Sequence, residues 1–244
     1  MLRPFIIPVV FTNETLVAKE CARKGFETMH ISTAAAGGIP VLKYMYRDAI
    51  KKYNSTFYAY SNGDILYTET LIDTLLLMKY STINLHKPVL IVGQRSNVNN
   101  VTEFEGSTFG SITRLAEERG KLFTFWAEDY FITTRSFPWQ EIAEVVIGRR
   151  AYDNWLVYYA RKSKYNVIDA TKTILAVHQT TKAGNHEGHG KTNKDFNHHL
   201  LVKLYKRVKY NAGITACIEK YTNYDNCVIA VKSRTVSKSC AISF

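Results

Sequence analysis

No apolar run in the sequence is long enough to cross a bilayer, and its start, Met1-Leu2-Arg3-Pro4, lacks a signal-peptide pattern. The chain as given is therefore expected to be soluble, with no membrane span. Cysteine is sparse. The four residues Cys21, Cys217, Cys227 and Cys240 show no Cys-x-x-Cys spacing, which argues against a cysteine-built metal site. Cys217 and Cys227 could pair in an oxidising compartment, although reduced, buried thiols are the default expectation. Internal repeats and linker-like stretches are also missing, so one domain spanning residues 1–244 is the economical reading. The zinc-protease helix pattern is absent too. His186-Glu187-Gly188-His189 spaces its histidines three apart inside a glycine-rich stretch, Gly184 to Asn193, that reads as a hydrated loop or a lid over a ligand.

What is present is a 244-residue chain that is 46% hydrophobic, enough for the core of one large α/β domain. Its net charge of +11 suits an anionic partner: nucleic acid, a membrane surface or a phosphorylated small molecule. The basic residues are scattered apart from Lys203 to Lys209 and Lys232 to Lys238, and no recognition motif accompanies them. Nucleic acid is therefore not expected as a partner, and a solvated basic face is the competing explanation. Asn13-Glu14-Thr15, Asn54-Ser55-Thr56 and Asn100-Val101-Thr102 are glycosylation sequons, which favour the secretory lumen over the cytoplasm.

Along the chain, Phe5 to Phe11 and Thr28 to Ser32 read as strands, with a helix from Glu14 to Lys24 between them that stops at Gly25. Gly38-Ile39-Pro40 opens a helix whose Leu42, Met45, Tyr46, Ala49, Ile50 and Tyr53 form one apolar stripe. A helix follows from about Glu69 to Lys79, with Leu71, Ile72, Leu75 and Leu76 facing inward. Pro88 to Gly93 is of strand length, Ser111 to Lys121 reads as helical, and Phe123 to Thr134 reads as loop into strand. A helix follows Arg150, with Asp153 and Asn154 in its first turn, where a carboxylate is favoured by the helix dipole. Val167 to Thr171 and Ile174 to Gln179 are further strands, and Lys194 to Tyr210 is a helix. Ile214 to Ile218 and Val228 to Val231 close the chain as short strands. Strand and helix alternate as in a mostly parallel sheet covered on both faces.

Within this order Phe57 to Leu66 is the organising stretch. An apolar, aromatic run reaches Asn62-Gly63-Asp64 and turns apolar again. Gly63 would let the backbone bend where a side chain would obstruct a ligand, and Asp64 would stand at the carboxyl end of a central strand, where open α/β sheets place ligands. An ordinary Asn-Gly-Asp surface turn is the competing reading.

Six segments then align in order: GIPVLKYMYRDAI (Gly38 to Ile50), YSNGDILY (Tyr60 to Tyr67), VLIVGQRSNV (Val89 to Val98), AEDYFITTR (Ala127 to Arg135), IGRRAYDNWL (Ile147 to Leu156) and VIDATKTILAVHQ (Val167 to Gln179). Together they resemble the nucleotide-diphospho-sugar transferases, the GT-A class of glycosyltransferases, and within it a little-described eukaryotic branch, with an N terminus short for the class. The resemblance implies a single Rossmann-like α/β domain that transfers a sugar from a nucleotide-sugar donor to a glycan, protein or small-molecule acceptor. It also implies Mn²⁺ or Mg²⁺ held by Asp64, His178 and Asn62, with Asn62 standing where the class's Asp-x-Asp has its first acid. Asn62, Gly63, Asp64, Arg95, Arg149 and Arg150 would face the diphosphate. Asp153 matches the acid of the class's xED motif, with Tyr152 in place of the Glu.

The chemistry asks for the same residue types. Negative charge develops on the departing diphosphate and needs a cation and basic side chains, and the acceptor hydroxyl must lose a proton to a carboxylate. Asp153 is the first candidate base, with helix capping as its competing role, and Asp129 is the second. Two alternatives stand beside this reading. A sugar-phosphate nucleotidyltransferase would want a basic glycine-rich loop, and Ala34 to Gly38 lacks nearby Arg or Lys on its N-terminal side. A non-catalytic sugar- or anion-binding protein would tolerate Asn62.

Overall fold

The computed structural model describes residues 5–181, 190–226 and 228–242. In chain order the elements are β1 (Val9–Phe11), α1 (Thr15–Arg23), β2 (Glu27–Met29), β3 (Ala34–Ala35), β4 (Ile39–Pro40), α2 (Leu42–Lys52), β5 (Phe57–Ser61), β6 (Ile65–Tyr67), α3 (Thr70–Tyr80), β7 (Val89–Val92), β8 (Ser96–Asn99), α4 (Phe109–Arg119), β9 (Lys121–Leu122), β10 (Tyr130–Thr134), α5 (Tyr152–Lys162), β11 (Asn166–Asp169), β12 (Ala176–Thr180), α6 (Phe196–Tyr205), β13 (Lys220–Asp225) and β14 (Val228–Ser233).

Val89–Val92 and Tyr130–Thr134 are buried at every position, because layers of side chains cover both faces of these strands. They lie inside a six-stranded sheet ordered β14-β13-β11-β7-β10-β5. In it β7, β11 and β13 run parallel, whereas β10 lies antiparallel between β7 and β5, and β14 pairs antiparallel with β13. The sheet is therefore mixed, which corrects the expectation of a mostly parallel one. A helix-bearing crossover makes neighbouring strands parallel, but α4 and β9 lead the chain through a second sheet before β10, which enters from the opposite end. A second correction concerns β5. It is an edge strand of this sheet, not a central one, and its Ala59 is exposed.

The second sheet is ordered β6-β12-β8-β9, with β12 parallel to β8 and antiparallel to β6. Its β8, Ser-Asn-Val-Asn, has three polar residues out of four. The strand survives because Val98 alone faces inward, onto Ile112, Leu115 and Val177. Three connections pass from the first sheet to the second: β5 to β6, β7 to β8 and β11 to β12. At the second of these Gly93 is required. A Cβ there would press on the Tyr130 hydroxyl and lie 2.9 Å from the Thr171 backbone nitrogen.

The largest core lies around α2 and α5, with Leu42, Tyr46, Phe131, Trp139, Trp155 and Leu156 in it, and Tyr46 stacks on Trp139 at 3.7 Å between ring centres. The α2 helix begins at Leu42, because Pro40 is engaged in the β3–β4 pairing. In α3 the inward positions are Leu71, Thr74 and Met78, and Leu76 is exposed. Of the expected Leu71, Ile72, Leu75, Leu76 face, Leu71 is buried and Leu75 packs against the core, while Leu76 turns outward and Thr74 and Met78 turn in. Ile214 to Ile218 forms a 3-10 turn at Thr215–Cys217 instead of a strand. Cys217 is bonded to Cys240, with Cα atoms 5.3 Å apart, so neither a Cys217–Cys227 pair nor a reduced Cys217 is found. Cys227 and the His186-to-His189 stretch lie outside the described residues. No described helix is long and apolar enough to cross a membrane.

Candidate functional site at the seam between the two sheets

The β5–β6 connection is Asn62-Gly63-Asp64. Asn62 extends the β5–β10 ladder by one residue, since its backbone N–H donates to the Asp129 carbonyl at 3.0 Å. Its side chain repeats the link, with Nδ2 donating to Asp129 Oδ1 at 2.7 Å and Oδ1 accepting from the Tyr60 hydroxyl at 2.9 Å. Asp129, which is 7% exposed, also pairs with Arg95, which is 4% exposed. Arg95 in turn donates Nε–H to Asn97 Oδ1 at 2.9 Å and lies over the Phe123 ring at 4.5 Å. One guanidinium thus ties the β7–β8 connection to the start of β10.

Gly63 has open space where a Cβ would lie and no left-handed φ, so nothing in the protein itself demands glycine there. The next residue, Asp64, enters β6. The β6–β12 register sets His178 opposite Ile65, which brings His178 Nε2 to 3.0 Å from Asp64 Oδ2. The structure thus joins two residues 114 positions apart. The bond to His178 holds the Asp64 carboxyl below its ordinary value against the opposing effect of burial. An ionised carboxylate only accepts, so the shared proton is on Nε2. In the neutral imidazole, Nδ1 then accepts from Thr180 Oγ1, 3.0 Å away. Asp64 Oδ1 is buried and has no hydrogen-bond partner.

Asp153 lies one residue inside α5. The N-cap is Ala151, in the left-handed region at φ 82° with no side-chain cap, so Asp153 is not the cap itself. Its carboxyl is pushed up to about 7, first by burial and further by the charge of Asp129. The backbone N–H groups of Asn154 and of Asp153 itself oppose the shift. Beside it is a residue that sequence reasoning missed. Glu128 is 2% exposed, its Oε2 accepts from Asn154 Nδ2 at 3.0 Å, and its Oε1 is buried without a partner. Burial, then Asp153, Asp129 and Asp169, push its pKa well above the carboxylate range. The available signal was position: Glu-Asp immediately precedes Tyr130–Thr134, a strand buried on both faces.

Arg149 and Arg150 are engaged by other partners. Both face the 192–195 segment, where Arg149 Nε donates to the Thr192 carbonyl at 2.9 Å and Arg150 pairs with Asp195. A cleft of about 550 Å³ lined by Arg161, Lys220 and Cys240 lies at the opposite end of α5 and takes no part in the site. Among the described residues, no group of three or more His, Cys, Asp or Glu side chains is arranged to hold a metal ion. No family model, curated protein or solved structure matches the chain.

Proposed function

We propose that this protein is a metal-dependent glycosyltransferase of GT-A type that uses a nucleotide-sugar donor. The carrying observation is Asp64, an ionised carboxylate with one oxygen held by His178 and the other buried and unpartnered, on a turn between two sheets. These residues fit a cation shared with substrate oxygens better than a closed protein cage, as is usual for Mg²⁺ and Mn²⁺ among phosphates. Asp64 Oδ1 would be the open donor. Asn62 Oδ1 keeps a second lone pair beyond the bond from Tyr60, and His178 becomes a donor once its Nε2 proton is displaced. The cation would act as a Lewis acid toward charge developing on the departing diphosphate.

The protein's own residues do the rest. Arg95, held by Asp129 and Asn97, places a fixed positive charge at the same seam. Asp153, with its carboxyl near 7, is matched to taking a proton from an acceptor hydroxyl. In this reading Asp129 serves as a tie for Asn62 and Arg95, not as the base. The Cys217–Cys240 bond and three sequon asparagines, Asn13, Asn54 and Asn100, all exposed, support a lumenal, oxidising compartment.

Thermal denaturation with nucleoside diphosphates and nucleotide sugars, each with and without Mn²⁺, tests the reading. The expected result is a rise in Tm that needs both ligand and Mn²⁺ and that Asp64→Asn abolishes. A protein indifferent to every such pair would refute it. Binding without turnover would instead favour the non-catalytic sugar- or anion-binding alternative.

A further inference from the structure

Phe125 and Trp126 are 44% and 43% exposed, yet the backbone that carries them is fixed at several points. The Phe123 N–H donates to the Arg95 carbonyl at 2.8 Å, and Gln94 Nε2 donates to the Phe123 carbonyl at 2.5 Å. The Thr215 N–H donates to the Phe125 carbonyl at 3.2 Å, and Asn154 Nδ2 donates to the Trp126 carbonyl at 3.1 Å. The two rings stand 6.3 Å apart with their planes inclined by 36°. Exposed aromatic rings on a fixed backbone lose little entropy when a ligand covers them.

The same Asn154 amide that holds Trp126 also holds Glu128, and Asn154 directly follows Asp153. Two aromatic faces and two carboxyl groups therefore share one short frame, and one of those carboxyls has a buried oxygen without a partner. A saccharide matches this pairing. The C–H groups on one face of its ring cover aromatic carbon, while a hydroxyl at its edge bonds to the Asp153 carboxyl, Glu128 at 2% exposure being too buried to be reached. A plain alkyl chain would leave the Asp153 carboxyl unsatisfied.

We propose that Phe125 and Trp126 form a saccharide platform, which in the glycosyltransferase reading is the acceptor side of the site. Its assignment to the acceptor rests on that reading; the binding of a saccharide rests on the rings and the Asp153 carboxyl alone. Trp126 also provides the probe. Trp139 and Trp155 are each 1% exposed, so solvent-sensitive tryptophan emission reports chiefly on Trp126.

The experiment titrates methyl glycosides of the common hexoses and N-acetylhexosamines, together with their disaccharides, while following emission and acrylamide quenching. Expected is a saturable change with protection from acrylamide by at least one member, lost in Trp126→Ala. Phe125→Ala, which keeps the probe and covers the case where Trp126→Ala fails to fold, should weaken the same titration roughly tenfold. Asp64→Asn should leave the saccharide response intact while removing the Mn²⁺-dependent nucleotide response, so failure of the platform and failure of the donor site are separable. No response to any saccharide, a response unchanged in Phe125→Ala, or an equal response to hexanol would overturn the proposal.

Discussion

Replacing Asn62 by Asp would restore the two-carboxylate turn that the GT-A resemblance calls for, and the structure says what that change costs. Asn62 Nδ2 donates to Asp129 Oδ1 at 2.7 Å. The substitution replaces that donor with a second acceptor, removing a charge-assisted bond of about 1.5–3 kcal/mol. It also sets two carboxylates roughly 3 Å apart, a repulsion of about 5 kcal/mol at an effective dielectric near 20, part of which Arg95 offsets. Sharing a proton relieves the clash, but at pH 7.5 that too costs a few kcal/mol for groups with reference pKa near 4. A net loss of about 3–5 kcal/mol follows, or a fall of roughly 6–20 °C in Tm for a domain of this size. The new pair titrates above its unfolded value. Its penalty is therefore present at neutral pH and disappears as pH falls below about 4. Mn²⁺ should recover part of the loss, because a cation between the oxygens turns repulsion into ligation, and the variant should bind Mn²⁺ more tightly than the native protein. Thermal denaturation in chelator and in Mn²⁺, from pH 4 to 8, measures all of this. A variant as stable as the native protein in chelator at pH 7.5 would refute the Asn62–Asp129 contact on which the reasoning rests.

Asp153→Asn should leave nucleotide binding intact and lower transfer at pH 7.5 by roughly two orders of magnitude or more, read by product formation. It should also raise stability at pH 8 by up to about 4 kcal/mol, because a carboxyl raised from 3.8 to about 7 weakens the fold as pH rises through that range, and the gain should vanish below pH 4. Glu128→Gln should likewise stabilise at neutral pH and not at pH 4, whereas Glu128→Ala should destabilise at both by leaving Asn154 Nδ2 without Glu128; denaturant titrations at the two pH values separate them. Gly93→Ala should cost a few kcal/mol by forcing Tyr130 and the Thr171 backbone apart, seen as a lower midpoint in urea.

Asp64 and His178 were legible in the sequence because each adjoins an apolar run, and strand ends are where turns expose polar groups. Their meeting was expected from the resemblance, and the structure brings them to 3.0 Å; the separate sheet in which they meet was not legible, since its β8 reads Ser-Asn-Val-Asn and offers a single apolar residue to mark it as a strand. The choice of Asn at 62 is likewise invisible locally. It is fixed by Asp129, 67 residues away, across a ladder whose direction depends on the path through α4 and β9. Cysteine pairing misled for a related reason. Closeness in sequence favours Cys227 over Cys240 as the partner of Cys217, but loop-closure entropy grows so slowly that the longer closure, 23 residues, costs less than about 1 kcal/mol more. Packing of the 3-10 turn against the chain's last described residues decides instead. The Arg149-Arg150 pair looked like anion ligands because they follow an apolar run; the 192–195 segment engages them.

The charge arrangement adds to the argument that Asp64 carries. On a chain of net charge +11, Asp64, Asp129 and Asp153 lie around the buried guanidinium of Arg95, and the buried Glu128 lies near Asp153 and Asp129. Arg95 is suited to that position as lysine would not be, because its planar fork serves Asp129 and Asn97 while its face covers Phe123. One arginine cannot compensate four charges, so the environments divide. Asp64, bonded to His178, is held ionised, while Glu128 and Asp153, away from such a partner, hold their protons toward neutral pH. Carboxyls whose pKa values are driven apart within one site are fitted to different tasks. The ionised one can meet a cation and the diphosphate it accompanies. Asp153, titrating near 7, can take up a proton where Phe125 and Trp126 would hold a saccharide hydroxyl. In the proposed reading, that division of the carboxyls is what a transferase would use and an anion-binding protein would not need.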